Sequence, residues 1–241
     1  MYKIQMFADV ADLVQTRSFK DNRLVSGFTT NPTLMRKAGV QDFAAFSKAA
    51  AEMVSPLPIS IEVLADDFEE MGRQARVIAS WAPNVFVKIP VTNTASESSA
   101  ELVRQLASEG VKLNITAIFT VKQVAEIANA LNPEVPSVVS VFAGRIADAG
   151  VDPMPIMAAS RALLDDLVPT SELLWASPRE ILNLEQAEAV GADIITMTPD
   201  LWAKYTSLGK DLNRFSQETV QMFFDDAVSA GFKLYIVGLA A

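Results

Sequence analysis

Eight short apolar runs, each followed by a stretch with helical spacing, constrain this chain more than any other feature. They are "KIQMFAD" (3–9), "LVSGFTTN" (24–31), "PISIEV" (58–63) and "NVFVKIPV" (84–91), then "VKLNITAI" (111–118), "SVVSVFAG" (137–144), "ELLWAS" (172–177) and "DIITM" (193–197). Each is short and rich in β-branched residues, as a buried strand should be. Between them lie amphipathic segments such as "DDFEEMGRQARVIASWA". "SESSAELVRQLASEG" opens on serines and acids and closes on glycine, a helix start and stop in one segment.

Strand–helix alternation repeated eight times over this length predicts an α/β fold, a (β/α)8 TIM barrel with an additional C-terminal helix. The competing arrangement, a doubly wound open sheet, usually carries a glycine-rich first turn, and none is present. No linker, low-complexity segment or short repeat interrupts the pattern. A single TIM-barrel domain over 1–241 is therefore expected, the barrel occupying about 1–208 and a helix and apolar tail about 209–241. The segment "SQETVQMFFDDAVSAGFKLYIVGLAA" would cover the barrel's own surface or pack on a neighbouring subunit.

Composition narrows the chemistry. The chain has no cysteine and no histidine, which removes thiolate nucleophiles, cysteine-ligated metals and the commonest general base and zinc ligand. Carboxylates, lysine, hydroxyls, amides and arginine remain, and an all-carboxylate Mg²⁺ site is possible in principle. A net charge of −9 argues against nucleic acid and anionic membrane as partners. It leaves room for a small phosphorylated ligand, because two converging arginines outweigh a distant acidic surface. No apolar run reaches membrane-spanning length, and "MYKIQMFADVADL" lacks the layout of a signal peptide, so a cytoplasmic location is expected.

In an α/β barrel the site is built at the C-terminal ends of the strands. Reading those positions gives Asp9, Thr30, Asn31, Glu62, Lys88, Asn114, Thr116, Ser140 and Ser177. A ring of polar residues at one end is hard to explain as packing. Lys88 stands out, since alternation sends Val87 and Ile89 under the helices and turns the lysine into the barrel. A desolvated lysine favours the neutral amine, which attacks carbonyls. The other reading is a buried ion pair with Glu62. Asp9 and Glu62 could serve the two proton transfers of a Schiff-base cycle, although Asp9 could equally cap the first helix. Past strands six and seven come Arg145, then Ser177, Pro178 and Arg179, with Pro178 suited to a helix's first turn. Arginines beside a hydroxyl and helix-start N–H groups would receive a phosphate, or the arginines would form rim salt bridges.

Taken together, "FADVADL", "GFTTNPTLM", "ISIEV", "VFVKIPVT", "LNITAIFT", "VVSVFAGRIAD" and "LLWASPREI" resemble the transaldolase family, most closely its short-chain branch, which also holds the fructose-6-phosphate aldolase-like enzymes. The resemblance implies a metal-independent enzyme with no cofactor that forms a Schiff base on Lys88. It implies Asp9 as the base for carbon–carbon cleavage, and Glu62 and Thr116 as holders of the water that moves protons during dehydration. Asn31, Asn114 and Ser140 would bind the three-carbon unit; Arg145, Ser177 and Arg179 would hold the phosphate; Thr30 and Phe142 complete the expected substrate-binding set. Family members that transfer the dihydroxyacetone unit carry glutamate and phenylalanine where aldolase-type members tend to carry glutamine and tyrosine. Glu62 and Phe142 therefore point to transfer between sugar phosphates, with pentose-phosphate sugars or those of a specialised pathway as substrates. The alternatives are an aldolase releasing free dihydroxyacetone and a non-catalytic sugar-phosphate-binding barrel. The short-chain resemblance also implies a homo-oligomer, a pentamer or decamer.

Overall fold

The structure, a computed structural model, describes residues 2–234. The last part of the expected apolar tail, 235–241, lies outside the described residues. Eight strands are present: β1 (Gln5–Asp9), β2 (Val25–Thr29), β3 (Ile59–Glu62), β4 (Val85–Pro90), β5 (Leu113–Ile118), β6 (Ser137–Val141), β7 (Ser171–Trp175) and β8 (Ile194–Met197). All pair in parallel, and β8 returns to β1 to close the barrel. The helices are α1 (Leu13–Lys20), α2 (Pro32–Lys37), α3 (Phe43–Val54), α4 (Phe68–Ala79), α5 (Ala100–Ser108) and α6 (Val121–Ala128). They continue with α7 (Ala143–Asp148), α8 (Met154–Leu167), α9 (Leu182–Ala189), α10 (Pro199–Lys204) and α11 (Leu212–Ser229). The eight expected strands and the (β/α)8 architecture are thus observed.

Local chemistry sets the helix ends. Asp67 caps α4 by accepting from the Glu70 N–H at 2.9 Å, and Glu69 and Glu70 face the positive end of the helix dipole. Thr120 and Gln123 form a capping box on α6. Asp12, not Asp9, caps α1, accepting from the Gln15 N–H at 2.8 Å. The capping role considered for Asp9 is therefore filled three residues later, and Asp9 is left at the strand end.

The two faces of each strand differ as a parallel barrel requires. Outward residues such as Ile61, Val87, Ile89, Ile115 and Val139 are fully buried beneath the helices. Inward residues fall into layers that the strand register defines. Thr29 pairs with Ser60 and Ser60 with Phe86; Lys88 pairs with Asn114 and Asn114 with Val138. Ser140 pairs with Leu174 and Leu174 with Ile194; Thr196 pairs with Phe7 and Phe7 with Gly27. In a barrel with a shear of about 8, tilted strands climb about two residues for every two strands crossed. Thr29, Lys88, Ser140 and Thr196 consequently form one closed layer. The same steps put Phe7, Ser60, Asn114 and Leu174 beneath it, and Asp9, Glu62, Thr116 and Ala176 above. The floor is apolar: Phe7, Val138, Leu174 and Ile194 cluster there with Phe86 packed against them. Gly27 permits this, since a Cβ at that position would lie 2.4 Å from the Phe7 ring. The polar layers therefore rest on a sealed hydrophobic base.

The chain divides into two compact units at Ala203/Lys204. The second contains a 3-10 turn at Tyr205–Ser207 and α11, which Asp211 caps by accepting from the Arg214 N–H at 2.9 Å. None of the residues in α11 is buried.

Candidate active site

The upper polar layers open into a cavity of about 380 Å³ at the C-terminal ends of the strands. It brings together eleven of the twelve residues expected from the sequence. Thr30 is the exception: it faces outward, buried, its hydroxyl donating to the Ser60 carbonyl at 3.0 Å. Thr29, its neighbour on the inward side, lines the cavity instead.

Lys88 sits in the middle polar layer and is only 7 % exposed. Its Nζ donates to the Thr30 carbonyl at 3.0 Å and lies 3.1 Å from Glu62 Oε2. The ion pair read from the sequence as one alternative is therefore present, and it lies inside the cavity. Glu62 and Lys88 are register partners on adjacent strands, which brings their side chains together.

Asp9 occupies the layer above. Thr29 Oγ1 donates to its Oδ1 at 2.9 Å, and Asn31 Nδ2 donates to its Oδ2 at 3.2 Å. Asn31 is itself fixed, because its Oδ1 caps α2 by accepting from the Leu34 N–H at 2.9 Å. Burial pushes the Asp9 carboxyl up to about 6, against the opposing pull of the Lys88 charge and the two hydrogen bonds. That value suits a group which must take and return a proton near neutral pH.

Opposite lies a buried amide–hydroxyl chain. Ser140 Oγ donates to Asn114 Oδ1 at 2.7 Å, and Asn114 Nδ2 donates to Ser60 Oγ at 2.9 Å. Thr116 is buried in the cavity wall, and its hydroxyl has no hydrogen-bond partner among the described residues. A buried hydroxyl without a protein partner fits one that meets a water or a ligand.

The loops after β6 and β7 form the far wall. Gly144 lets them meet: a Cβ there would fall 1.6 Å from the Ser177 carbonyl oxygen. Ser177 adopts a left-handed φ of 57°, which turns the chain sharply. Pro178 does not open a helix as expected, since α9 begins only at Leu182. The Arg179 and Glu180 N–H groups are spent on Asn183 Oδ1, at 2.7 and 3.2 Å. An anion at this wall would therefore be met by side chains rather than by a helix start. Arg145 stacks 5.4 Å from the Phe142 ring and has no carboxylate partner among the described residues. Arg179 is paired with Asp148 through Nε, at 3.1 Å, and Nη2. One arginine thus stands free, and the other is held at the rim.

Lys37, Lys88, Arg145 and Arg179 line the cavity against Asp9 and Glu62. The pocket is locally positive in a chain of net charge −9, which suits a small anionic ligand. Reading strand ends missed Thr29, Thr196 and Thr198, all of which line it. Their signal is parity alone: each lies two or four residues from an inward position on its strand.

The family model described as Transaldolase/Fructose-6-phosphate aldolase matches residues 6–234. A "Probable transaldolase 2" from Listeria monocytogenes is 36% identical over 225 residues, covering 89% of this chain and 99% of the relative. A "Probable transaldolase" from Brucella ovis is 35% identical over 196 residues, covering 81% of this chain and 86% of the relative. Among solved structures, 2,3-dimethylmalate lyase superposes with a TM-score of 0.53 at 12% identity, over 99% of this chain and 87% of that one. This last likeness speaks to the barrel fold alone.

Proposed function

The chain belongs to the transaldolase/fructose-6-phosphate aldolase family, and within it we propose a transaldolase that moves a dihydroxyacetone unit from a ketose phosphate to an aldose phosphate through a Schiff base on Lys88. The observation that carries this is the position of the Lys88 amine, buried in the middle polar layer beneath two carboxylates on neighbouring odd strands. Lys88 attacks the C2 carbonyl, and the carbinolamine loses water. A water held by Glu62, 3.1 Å from the Lys88 amine, and by the unpaired Thr116 hydroxyl moves the protons of that step. Asp9 then takes the proton of the C4 hydroxyl. The C3–C4 bond breaks, its electron pair passes into the iminium as an enamine, and the aldose leaves.

Asn31, Asn114 and Ser140 would hold the three-carbon unit, and Arg145, Ser177 and Arg179 would hold the phosphate at the aldose end of the sugar. The enamine next adds to the aldehyde of an incoming aldose phosphate, Asp9 returns its proton to the new hydroxyl, and water releases the product. Transfer is favoured over release because Phe142 faces the cavity with a ring that carries no proton to quench the enamine. No metal or cofactor is needed for any of these steps. The reading extends to a cytoplasmic enzyme of sugar-phosphate metabolism acting as a homo-oligomer.

Borohydride reduction in the presence of fructose 6-phosphate should leave a stable adduct on Lys88, located by peptide mass spectrometry. Lys88→Ala should lose activity by several orders of magnitude. An unmodified Lys88 together with an active Lys88→Ala enzyme would refute the mechanism. Fast formation of free dihydroxyacetone without an acceptor would assign the aldolase activity instead.

A further inference from the structure

We propose that Thr196 is a positioning residue for this reaction: acting through Thr29, it holds the Asp9 carboxylate in place and sets the pH range in which that group works as a base. The proposal rests on the reading of Asp9 as the base of carbon–carbon cleavage.

Strand β1 lies between β2 and β8, and each flanking strand sends one threonine inward beside Asp9. Thr29 and Thr196 belong to the same layer as Lys88, and their hydroxyl oxygens are 2.6 Å apart. The bond crosses the inner face of β1 between Phe7, the register partner of Thr196, and Asp9, the register partner of Thr29. Both threonines are buried, and both line the cavity.

The direction of the chain follows from counting hydrogens. A hydroxyl has one to give. While Asp9 is ionised, the Thr29 hydrogen goes to Asp9 Oδ1 at 2.9 Å. Thr196 must then donate to Thr29 Oγ1. A hydroxyl that accepts a hydrogen bond becomes a stronger donor, and an ionised acceptor gains most from that. Thr196 therefore stabilises the carboxylate form of Asp9 without touching it.

The two carboxylate oxygens are held by separate arms. Oδ2 is held by Asn31, which α2 fixes through its cap; Oδ1 is held by Thr29, which Thr196 fixes. The charged groups acting on Asp9 are Lys88 from β4 and Glu62 from β3. The flanking strands β2 and β8 contribute no charge. The threonine arm is thus an uncharged means of adjusting the base. A buried hydroxyl is costly unless it is used, and among the described residues Thr29 is the partner recorded for that of Thr196.

The test is the pH profile of kcat and kcat/KM with fructose 6-phosphate and erythrose 4-phosphate. The wild-type acid limb should fall near pH 6. In Thr196→Val it should move up by roughly half a unit, the share expected when a charge-assisted bond loses its relay partner. At pH 5 kcat should drop by about threefold while KM changes by less than twofold. Thr196→Ser, which keeps the hydroxyl, should restore the wild-type limb. If the valine variant fails to fold, Thr196→Ala removes the hydroxyl without adding bulk and should shift the limb in the same direction. A limb that stays in place in both hydroxyl-free variants, or that moves equally in the serine variant, overturns the proposal. A different result separates the underlying reading: if Asp9→Asn keeps full activity, Asp9 is not the base and both ideas fall.

Discussion

At the scale of single residues, Asp9 shows what the site costs the fold. Its carboxyl titrates at about 6 because burial raises it further than Lys88, Thr29 and Asn31 lower it, whereas an unfolded aspartate titrates near 3.8. The folded chain thus binds this proton more tightly than the unfolded one. The stability linked to the group is fully present below about pH 4, declines as pH rises through about 6, and stays lost above. The gap corresponds to on the order of 2–3 kcal/mol. Asp9→Asn keeps the shape and removes the charge. Its urea midpoint should exceed that of the wild type at pH 8, and the two should converge at pH 4, while transfer activity is lost. A variant less stable than wild type at pH 8 would show that the contacts with Lys88 and Asn31 outweigh burial. Much at this scale was legible from alternation, because Val87 and Ile89 flank Lys88 and fix its direction. The adjacent threonines were not. A run read as extending to residue 31 gives Thr30 and Asn31 as its last polar pair, whereas strand β2 ends at Thr29 and parity with Asn31 picks Thr29. Thr196 was hidden because its partner lies 167 positions away in sequence.

Among elements, the contact between the start of α7 and the loop after β7 governs the wall proposed above to hold the phosphate. A Cβ on Gly144 would meet a backbone oxygen at 1.6 Å, which no rotamer change can relieve. Gly144→Ala must therefore push the Ser177–Arg179 loop outward. The expected stability loss is about 1–3 kcal/mol, as for other overpacked sites. KM for fructose 6-phosphate should rise at least tenfold, while borohydride trapping of unphosphorylated dihydroxyacetone on Lys88 should persist. Equal loss of both would show that the contact supports the whole barrel rather than this wall. The eight strands were readable because each is a short buried run between turn signals. The loop after β7 was not, because Pro178 follows a serine in left-handed conformation and Asn183 ties down the two N–H groups behind it. Those are tertiary choices, and proline's preference for a helix's first turn cannot anticipate them.

For the whole molecule the open question is what α11 is for. The sequence announced an extra helix, and α11 is present, but without a buried residue. Val220, Phe223, Phe224 and Val228 recur at helical spacing and stand about 62–64 % exposed. Soluble monomers rarely leave so continuous an apolar stripe in water. Burying two phenylalanines and two valines would contribute roughly 1.5–3 kcal/mol each, enough to favour association at micromolar concentration once repeated around a closed ring. This supports the homo-oligomer proposed above. Sedimentation velocity of the full chain at micromolar concentration should give a species several times the 26.1 kDa of one chain. Phe223→Glu combined with Phe224→Glu puts two charges on the stripe and should move the boundary toward the monomer. Because every residue of the cavity lies before Pro199, Lys88 in that variant should still be trapped by borohydride. A wild-type chain that sediments as a monomer, or a double variant that keeps the wild-type mass, would leave the stripe with some other role.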